Sequence, residues 1–243
     1  MLMSQSVADD VISAANLSSE DRVLEIGTGS GMLTKRLASL SKLVKSYEID
    51  EMLFEKARRS LRIYPNVHLV CGNIFREQVA VHELNVLVTS LPFSQSLRFL
   101  KWIALRSDIF QRIVAVLQAD FVNKICAVPS QDSYKAVSVM AQITFNVERL
   151  FKIGRDSFEP KPKILSEVVR LTPKNGAIQP FFNPKRLHLL DLLFSQRRKT
   201  LKSAIRKIGQ YDLPKELSSN YLNRRIESLA PEEFVSIIEK IRL

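Results

Sequence analysis

Val23-Leu24-Glu25-Ile26-Gly27-Thr28-Gly29-Ser30-Gly31 is the stretch on which the fold turns. Residues 23–26 predict a short buried strand, and the three alternating glycines break it. A helical stretch follows, with Leu33, Leu37 and Leu40 on one side. Strand, glycine loop and helix in that order form the opening unit of a ligand-binding α/β sheet. Glycine lets the backbone turn sharply and lie close to a ligand, at which the amides of the next helix are aimed. The last glycine comes one residue early for the G-x-G-x-x-G of dinucleotide folds, so that reading is set aside.

Outward from this unit, short apolar runs alternate with helical patterns. Residues 43–49 read as the next strand, followed by a charged helix around 51–61. Residues 67–70, 86–89 and 113–117 are three further strand candidates. Two more β-like runs, 136–145 and 168–171, predict a closing hairpin at the sheet edge. The expected fold is a Rossmann-like α/β core. Near residues 172–184 the texture changes: Pro173, Asn175, Gly176, Pro180 and Pro184 crowd together as in a linker. Beyond it the pattern is helical. Leu190, Phe194, Leu201, Ile205 and Ile208 fall on one face, and Arg198, Lys202 and Arg206 repeat every four residues on another. The expected division is a core over 1–173 and a small basic helical domain over 174–243.

Composition narrows the class. Of 243 residues, 25% are charged and 46% hydrophobic, and mean hydropathy is −0.02. No apolar run approaches the ~20 residues of a membrane-spanning helix. The first ten residues lack a charged-then-apolar signal pattern, and Asp9 and Asp10 argue against a transit peptide. Two distant cysteines, Cys71 and Cys126, and three histidines predict neither a disulfide scaffold nor a metal site, with the cytoplasm as default. The net charge of +11 is uneven: +4 over residues 1–173 and +7 over 174–243. From Lys185 to Lys207 eight basic residues stand against one acidic. Such crowding points to an acidic polymer, nucleic acid first, contacted through phosphates.

Chemistry-bearing residues cluster at strand ends. Glu25, two residues before the first glycine, matches the pattern of S-adenosylmethionine sites better than that of dinucleotide sites. Glu48 stands twenty-one residues after Gly27 at the end of the next strand, with Ile49 beside it. A carboxylate there can accept both hydroxyls of a ribose. Asn73, followed by Ile74, closes the third strand, where an adenine edge would lie, and offers both a donor and an acceptor.

Ser90-Leu91-Pro92-Phe93 follows the fourth strand and resembles the N-x-P-Y/F motif of methyltransferases acting on exocyclic amino groups. Phe158-Glu159-Pro160-Lys161-Pro162-Lys163-Ile164-Leu165-Ser166 resembles the F-x-P-x-P-K-V-x-S signature of ribosomal RNA adenine dimethyltransferases. Residues 114–125, with Gln118, are similar to that family's next segment. Phe194-Ser195-Gln196-Arg197-Arg198-Lys199-Thr200-Leu201 is similar to its F-x-x-R-R-K-x-L helix. The resemblance runs from about residue 2 to about residue 240. It implies a methyltransferase core with a C-terminal helical domain that helps hold RNA. The implied reaction is dimethylation of two neighbouring adenosines near the 3′ end of small-subunit rRNA, using S-adenosylmethionine. The implied partner is the immature small ribosomal subunit, met by a monomer without a membrane.

The resemblance also implies site residues. Leu2, Glu25, Gly27, Gly29, Glu48, Ile49, Asn73, Ile74 and Ser90 would bind cofactor, Leu2 as the end of the family's G-Q-N/H-F-L opening. Ser90, Leu91, Pro92 and Phe93 would be catalytic. Arg197, Arg198, Lys199, Lys202 and Arg206 would contact RNA. Two residues depart from the pattern: Ser90 stands where the family has Asn, and Asn73 where it has Asp. An adenine amine is a poor nucleophile because its lone pair is shared with the ring. Acceptors at Ser90 Oγ and the Leu91 carbonyl would favour a pyramidal nitrogen, Pro92 would stiffen the loop, and Phe93 would stack on the base. Two rivals stand beside this reading: a large-subunit rRNA adenine methyltransferase of the erythromycin-resistance type, and a non-catalytic RNA-binding assembly factor on the same fold.

Overall fold

A computed structural model describes residues 4–76, 83–174, 181–212 and 217–241. The chain opens with α1 (Gln5–Ala15), β1 (Arg22–Ile26), α2 (Met32–Leu40), β2 (Leu43–Glu48), α3 (Glu51–Leu61), β3 (Val67–Cys71) and β4 (Val86–Thr89). It continues with α4 (Ser96–Ala104), β5 (Arg112–Gln118), α5 (Ala119–Ile125), α6 (Ala136–Thr144), β6 (Phe145–Ile153) and β7 (Ser166–Pro173). The last helices are α7 (Pro184–Ser195), α8 (Leu201–Ile208), α9 (Ser219–Leu222) and α10 (Pro231–Lys240).

One seven-stranded sheet has the order β3-β2-β1-β4-β5-β7-β6. The strands β1 to β5 pair in parallel, while β7 is antiparallel to both β5 and β6. From β1 the chain first winds outward through β2 and β3, then returns to lay β4 on the other side. A crevice opens at the carboxyl ends where the winding reverses, between β1 and β4. The glycine loop and Ser90 both leave the sheet there.

Strand alternation fills two cores. Val86 and Val88 of β4 join α1 and α2 on one face, and Leu87 joins α4, α6 and the C-terminal helices on the other. Leu190, Phe194, Leu201 and Ile205 are buried in that second cluster, with Ile208 packed against it. Helix α3 carries its own end signals: Asp50 accepts from the Leu53 amide at 2.9 Å, Glu51 occupies the first turn, and Arg58 and Arg59 occupy the last.

Three expectations are corrected. Residues 136–144 form helix α6, not a strand, and the edge hairpin is β6–β7. Val137, Val139, Met140 and Ala141 are all buried because α4, α5, α7 and α10 surround that helix. An apolar run buried on every side has no readable period. The C-terminal basic helix is two helices. Thr200 caps α8 by accepting from the Ser203 amide, so Arg198 lies in the intervening turn, off the helix of Lys202 and Arg206. Leu40, unlike Leu33 and Leu37, is half-exposed where α2 ends. Of the linker residues, Asn175, Gly176 and Pro180 lie outside the described residues. Among those described, no helix is long and apolar enough to cross a membrane.

Candidate active site

At the carboxyl ends of β1 to β4 lies a cavity of about 690 Å³. Its floor is the glycine loop, where Gly27, Gly29 and Gly31 have φ of 89°, 56° and 77°. Side chains other than glycine are strained in this region. The Gly27 and Thr28 amides both donate to the Tyr47 carbonyl, which ties the loop to β2. A Cβ on Gly27 would stand 3.7 Å from both the Ser90 carbonyl oxygen and Leu91 Cδ2. The loop after β1 and the loop after β4 therefore share one wall of one cavity.

Glu48 is buried at the end of β2 and lines the cavity. Its Oε2 accepts from the Gly29 amide (2.8 Å), and its Oε1 from the amides of Ile49 (2.9 Å) and Asp50 (3.0 Å). A carboxylate has about four acceptor positions, so three are filled and one remains, not the two that the sequence reading assigned to a ribose.

Glu25 is brought near the site but not into it. It is fully buried beneath the loop and does not line the cavity. Its Oε2 accepts from Thr34 Oγ1 (2.6 Å) and Ser46 Oγ (2.5 Å), and Ser46 in turn meets Thr28 Oγ1 at 2.6 Å. Its Oε1 has no partner among the described residues. Burial pushes the carboxyl up to about 7, against the pull of the Ser46 and Thr34 hydroxyls and with a small push from Glu48. This is a brace for the loop, set from behind.

Asn73 also lines the cavity. Its Oδ1 accepts from the Phe75 amide at 3.1 Å, closing a turn, while its carbonyl takes the Arg76 amide at 2.9 Å. Among the described residues its Nδ2 has no acceptor. Ile74 is buried and Ile49 exposed, and both line the cavity. Leu2 lies outside the described residues.

The loop after β4 is anchored by Thr89, whose hydroxyl donates to the Ile26 carbonyl at 2.8 Å. Ser90, Leu91, Pro92 and Phe93 all line the cavity. Pro92 leads a short 3₁₀ turn, Phe93–Gln95, in which its carbonyl accepts the Gln95 amide. The Phe93 ring meets Phe158 edge-on at 6.4 Å. Phe158, Pro160, Lys161 and Pro162 complete the wall. The sequence offered Phe158 only inside a motif; Tyr47, Phe75 and Arg98, which also line the cavity, sit in no pattern that would have found them.

The basic residues divide. Arg197 is committed within the chain: its Nε donates to Glu227 at 2.8 Å and its Nη1 to the Asp132 carbonyl at 2.9 Å. Arg198, Lys199, Lys202 and Arg206 are exposed, and none forms an ion pair among the described residues.

The whole chain, residues 1–243, matches a family described as ribosomal RNA adenine dimethylase. A probable ribosomal RNA small subunit methyltransferase A from Pyrococcus abyssi is 32% identical over 99% of this chain and 89% of its own. The ribosomal RNA small subunit methyltransferase A of Thermotoga maritima is 32% identical over 99% of this chain and 82% of its own. Among solved structures, a dimethyladenosine transferase from Plasmodium falciparum superposes with a TM-score of 0.81 at 23% identity, over 98% of this chain and 95% of that one. The 23S rRNA methyltransferase ErmE superposes at 0.69 and 22% identity, over 99% and 98%.

Proposed function

The chain belongs to the ribosomal RNA adenine dimethylase family, and from that premise we propose how its residues work. The protein is an S-adenosylmethionine-dependent rRNA adenine dimethyltransferase, acting on the N6 amino groups of two adjacent adenosines near the 3′ end of small-subunit rRNA.

The cavity fits the cofactor on its own chemistry. Glycines with positive φ leave room for a ligand against the backbone, Glu48 keeps one acceptor position, Asn73 keeps its amide donors, and Ile49 and Ile74 offer apolar walls. When bound, S-adenosylmethionine supplies an electrophilic methyl group on a sulfonium. Glu48 accepts from one ribose hydroxyl while aligning the Gly29 amide. Asn73 would hold the edge of the cofactor's adenine through its side-chain amide, with Ile49 and Ile74 as apolar walls beside it. Gly27 and Gly29 admit the remainder of the ligand at the loop.

The target amine belongs at Ser90. Ser90 Oγ and the Leu91 carbonyl accept from its N–H groups, Pro92 stiffens the turn, and Phe93 stacks on the extruded base with Phe158 at its edge. Held by these acceptors, the amine nitrogen would take the methyl group as the sulfur–methyl bond breaks to leave the neutral thioether S-adenosylhomocysteine, and the nitrogen would then shed its extra proton to water. Positioning supplies most of the gain. One observation carries the reading: Gly27 lies against the Ser90 carbonyl, which brings the cofactor loop and the acceptor loop to the same wall.

Arg198, Lys199, Lys202 and Arg206 contact phosphates of the folded RNA from the 174–243 segment, while residues 1–173 hold the chemistry. Arg197 serves that surface by tying it to Glu227 and Asp132. The expected partner of this monomer is the immature small subunit in the cytoplasm. Incubation with methyl-labelled S-adenosylmethionine and separated ribosomal subunits tests the proposal. Label should enter immature small-subunit rRNA; label confined to the large subunit would favour the rival methyltransferase, and binding without label the assembly factor that the Ser90 and Asn73 departures suggest.

A further inference from the structure

Among the described residues, three charged ones line the cavity: Glu48, Lys161 and Arg98. Glu48 is engaged by loop amides, and Lys161 Nζ sits 2.5 Å from the Asp156 carboxylate. Arg98 differs. It is exposed in the first turn of α4, and among the described residues no carboxylate lies within ion-pair distance of it. Its guanidinium stands over the Phe75 ring, 5.2 Å from the centroid. That ring is itself fixed: the Phe75 amide closes the turn onto Asn73 Oδ1, and the buried Trp102 indole meets its edge at 6.1 Å. Arg106 covers Trp102 in turn, 4.4 Å from the indole centroid.

A guanidinium held by its face keeps its N–H edge open, in the fork geometry that suits two phosphate oxygens. Stacking also limits the rotamers lost when a ligand arrives. The adenine must leave its stack to reach Ser90, so the sugar and phosphates beside it stay at the cavity mouth. Arg98 is on that rim, with exposed Pro92, Ser94 and Leu97 around it. The cofactor's own ribose and base are already provided for at Glu48, Asn73, Ile49 and Ile74, none of which is cationic.

We propose that Arg98 binds a backbone phosphate flanking the extruded adenosine and so fixes the target strand at the cavity mouth. The inference rests on the methyltransferase reading above and adds a positioning residue to it, distinct from the basic C-terminal surface.

The test uses the full chain and a labelled RNA hairpin carrying the two adjacent adenosines of the small-subunit 3′ end. RNA affinity is measured against salt for the unaltered protein, Arg98→Gln and Arg98→Lys, with S-adenosylmethionine affinity measured by calorimetry. One phosphate contact contributes about 0.7 to 0.9 to the slope of log affinity on log salt. Arg98→Gln should flatten the slope by that amount, so the affinity lost between about 50 and 200 mM salt shrinks by roughly 2.5- to 3.5-fold. KM for RNA should rise with kcat held, cofactor affinity should stay, and Arg98→Lys should retain the slope. An unchanged slope in Arg98→Gln overturns the proposal, as does a fall in cofactor affinity, which would assign Arg98 to the cofactor. An RNA-binding but non-methylating protein whose slope still depends on Arg98 would sink methyl transfer and support only the Arg98–phosphate contact. Failure to bind RNA at all would remove both.

Discussion

Glu48→Gln separates a carboxylate that only receives a ribose from one that also builds the loop. In the structure Oε1 holds the Ile49 and Asp50 amides and Oε2 holds the Gly29 amide. A glutamine has one carbonyl oxygen and one amide nitrogen, so it can satisfy one side only. With the oxygen kept toward Ile49 and Asp50, the NH₂ group faces the Gly29 N–H, donor against donor. The loop loses its tether, and the ribose loses its acceptor. Each lost hydrogen bond to a charged group costs about 1.5–3 kcal/mol, but part of that falls on folding because the Gly29 bond exists without ligand. S-adenosylmethionine affinity should therefore drop by roughly 2–3 kcal/mol, or about 30- to 150-fold. Titration calorimetry reads this directly, and thermal unfolding of the ligand-free protein should show a lowered midpoint. An affinity within twofold of the unaltered protein would refute the placement of Glu48 in the site, and an unshifted midpoint its role in holding the loop.

Ser90→Asn should raise single-turnover methyl transfer, because the longer side chain carries its acceptor oxygen further. Ser90→Ala should lower the rate by ~10²–10³-fold with RNA affinity little changed; equal rates for the unaltered protein and Ser90→Ala would defeat the acceptor role. Replacing Arg198, Lys202 and Arg206 together by Gln should weaken RNA binding and flatten its salt dependence while calorimetry finds cofactor affinity intact; a salt slope that stays the same would place the basic face elsewhere. Glu25 predicts a pH effect on stability. Its carboxyl is raised from an ordinary 4.5 to about 7 in the folded state, so between those values the folded protein holds a proton the unfolded chain has lost. Stability is unaffected by Glu25 below pH 4.5 and falls through this window by about 3 kcal/mol in all. Denaturant midpoints of Glu25→Gln should show that slope removed; parallel pH profiles for the two proteins would contradict it.

The glycine loop, the offset of Glu48 and the exit from β4 were legible because each is a strand end, where spacing along the chain converts directly into position at the crevice. Glu25 was misplaced for a reason that the same strand explains. Side chains alternate across a sheet, so Glu25 shares the face of Val23 and points under α2 toward Thr34, while Leu24 and Ile26 turn the other way. Helix α6 was hidden by burial on every side, and α1 and α4 by the lack of any motif that drew attention to them. The break at Gln196–Thr200 was hidden too, since the apolar spacing from Leu190 to Ile205 continues across it while the chain turns. Arg98 and Phe75 belong to different strand exits, and only the winding of the sheet brings them face to face.

The identity of the product tests the dimethyltransferase activity most directly. Immature small subunits treated with the protein and S-adenosylmethionine would be digested and their rRNA mapped by nucleoside mass spectrometry. N6,N6-dimethyladenosine should be found at two neighbouring positions near the 3′ end, absent when cofactor or protein is withheld. Unmodified adenosines at both positions, from protein that binds S-adenosylmethionine and RNA, would contradict it.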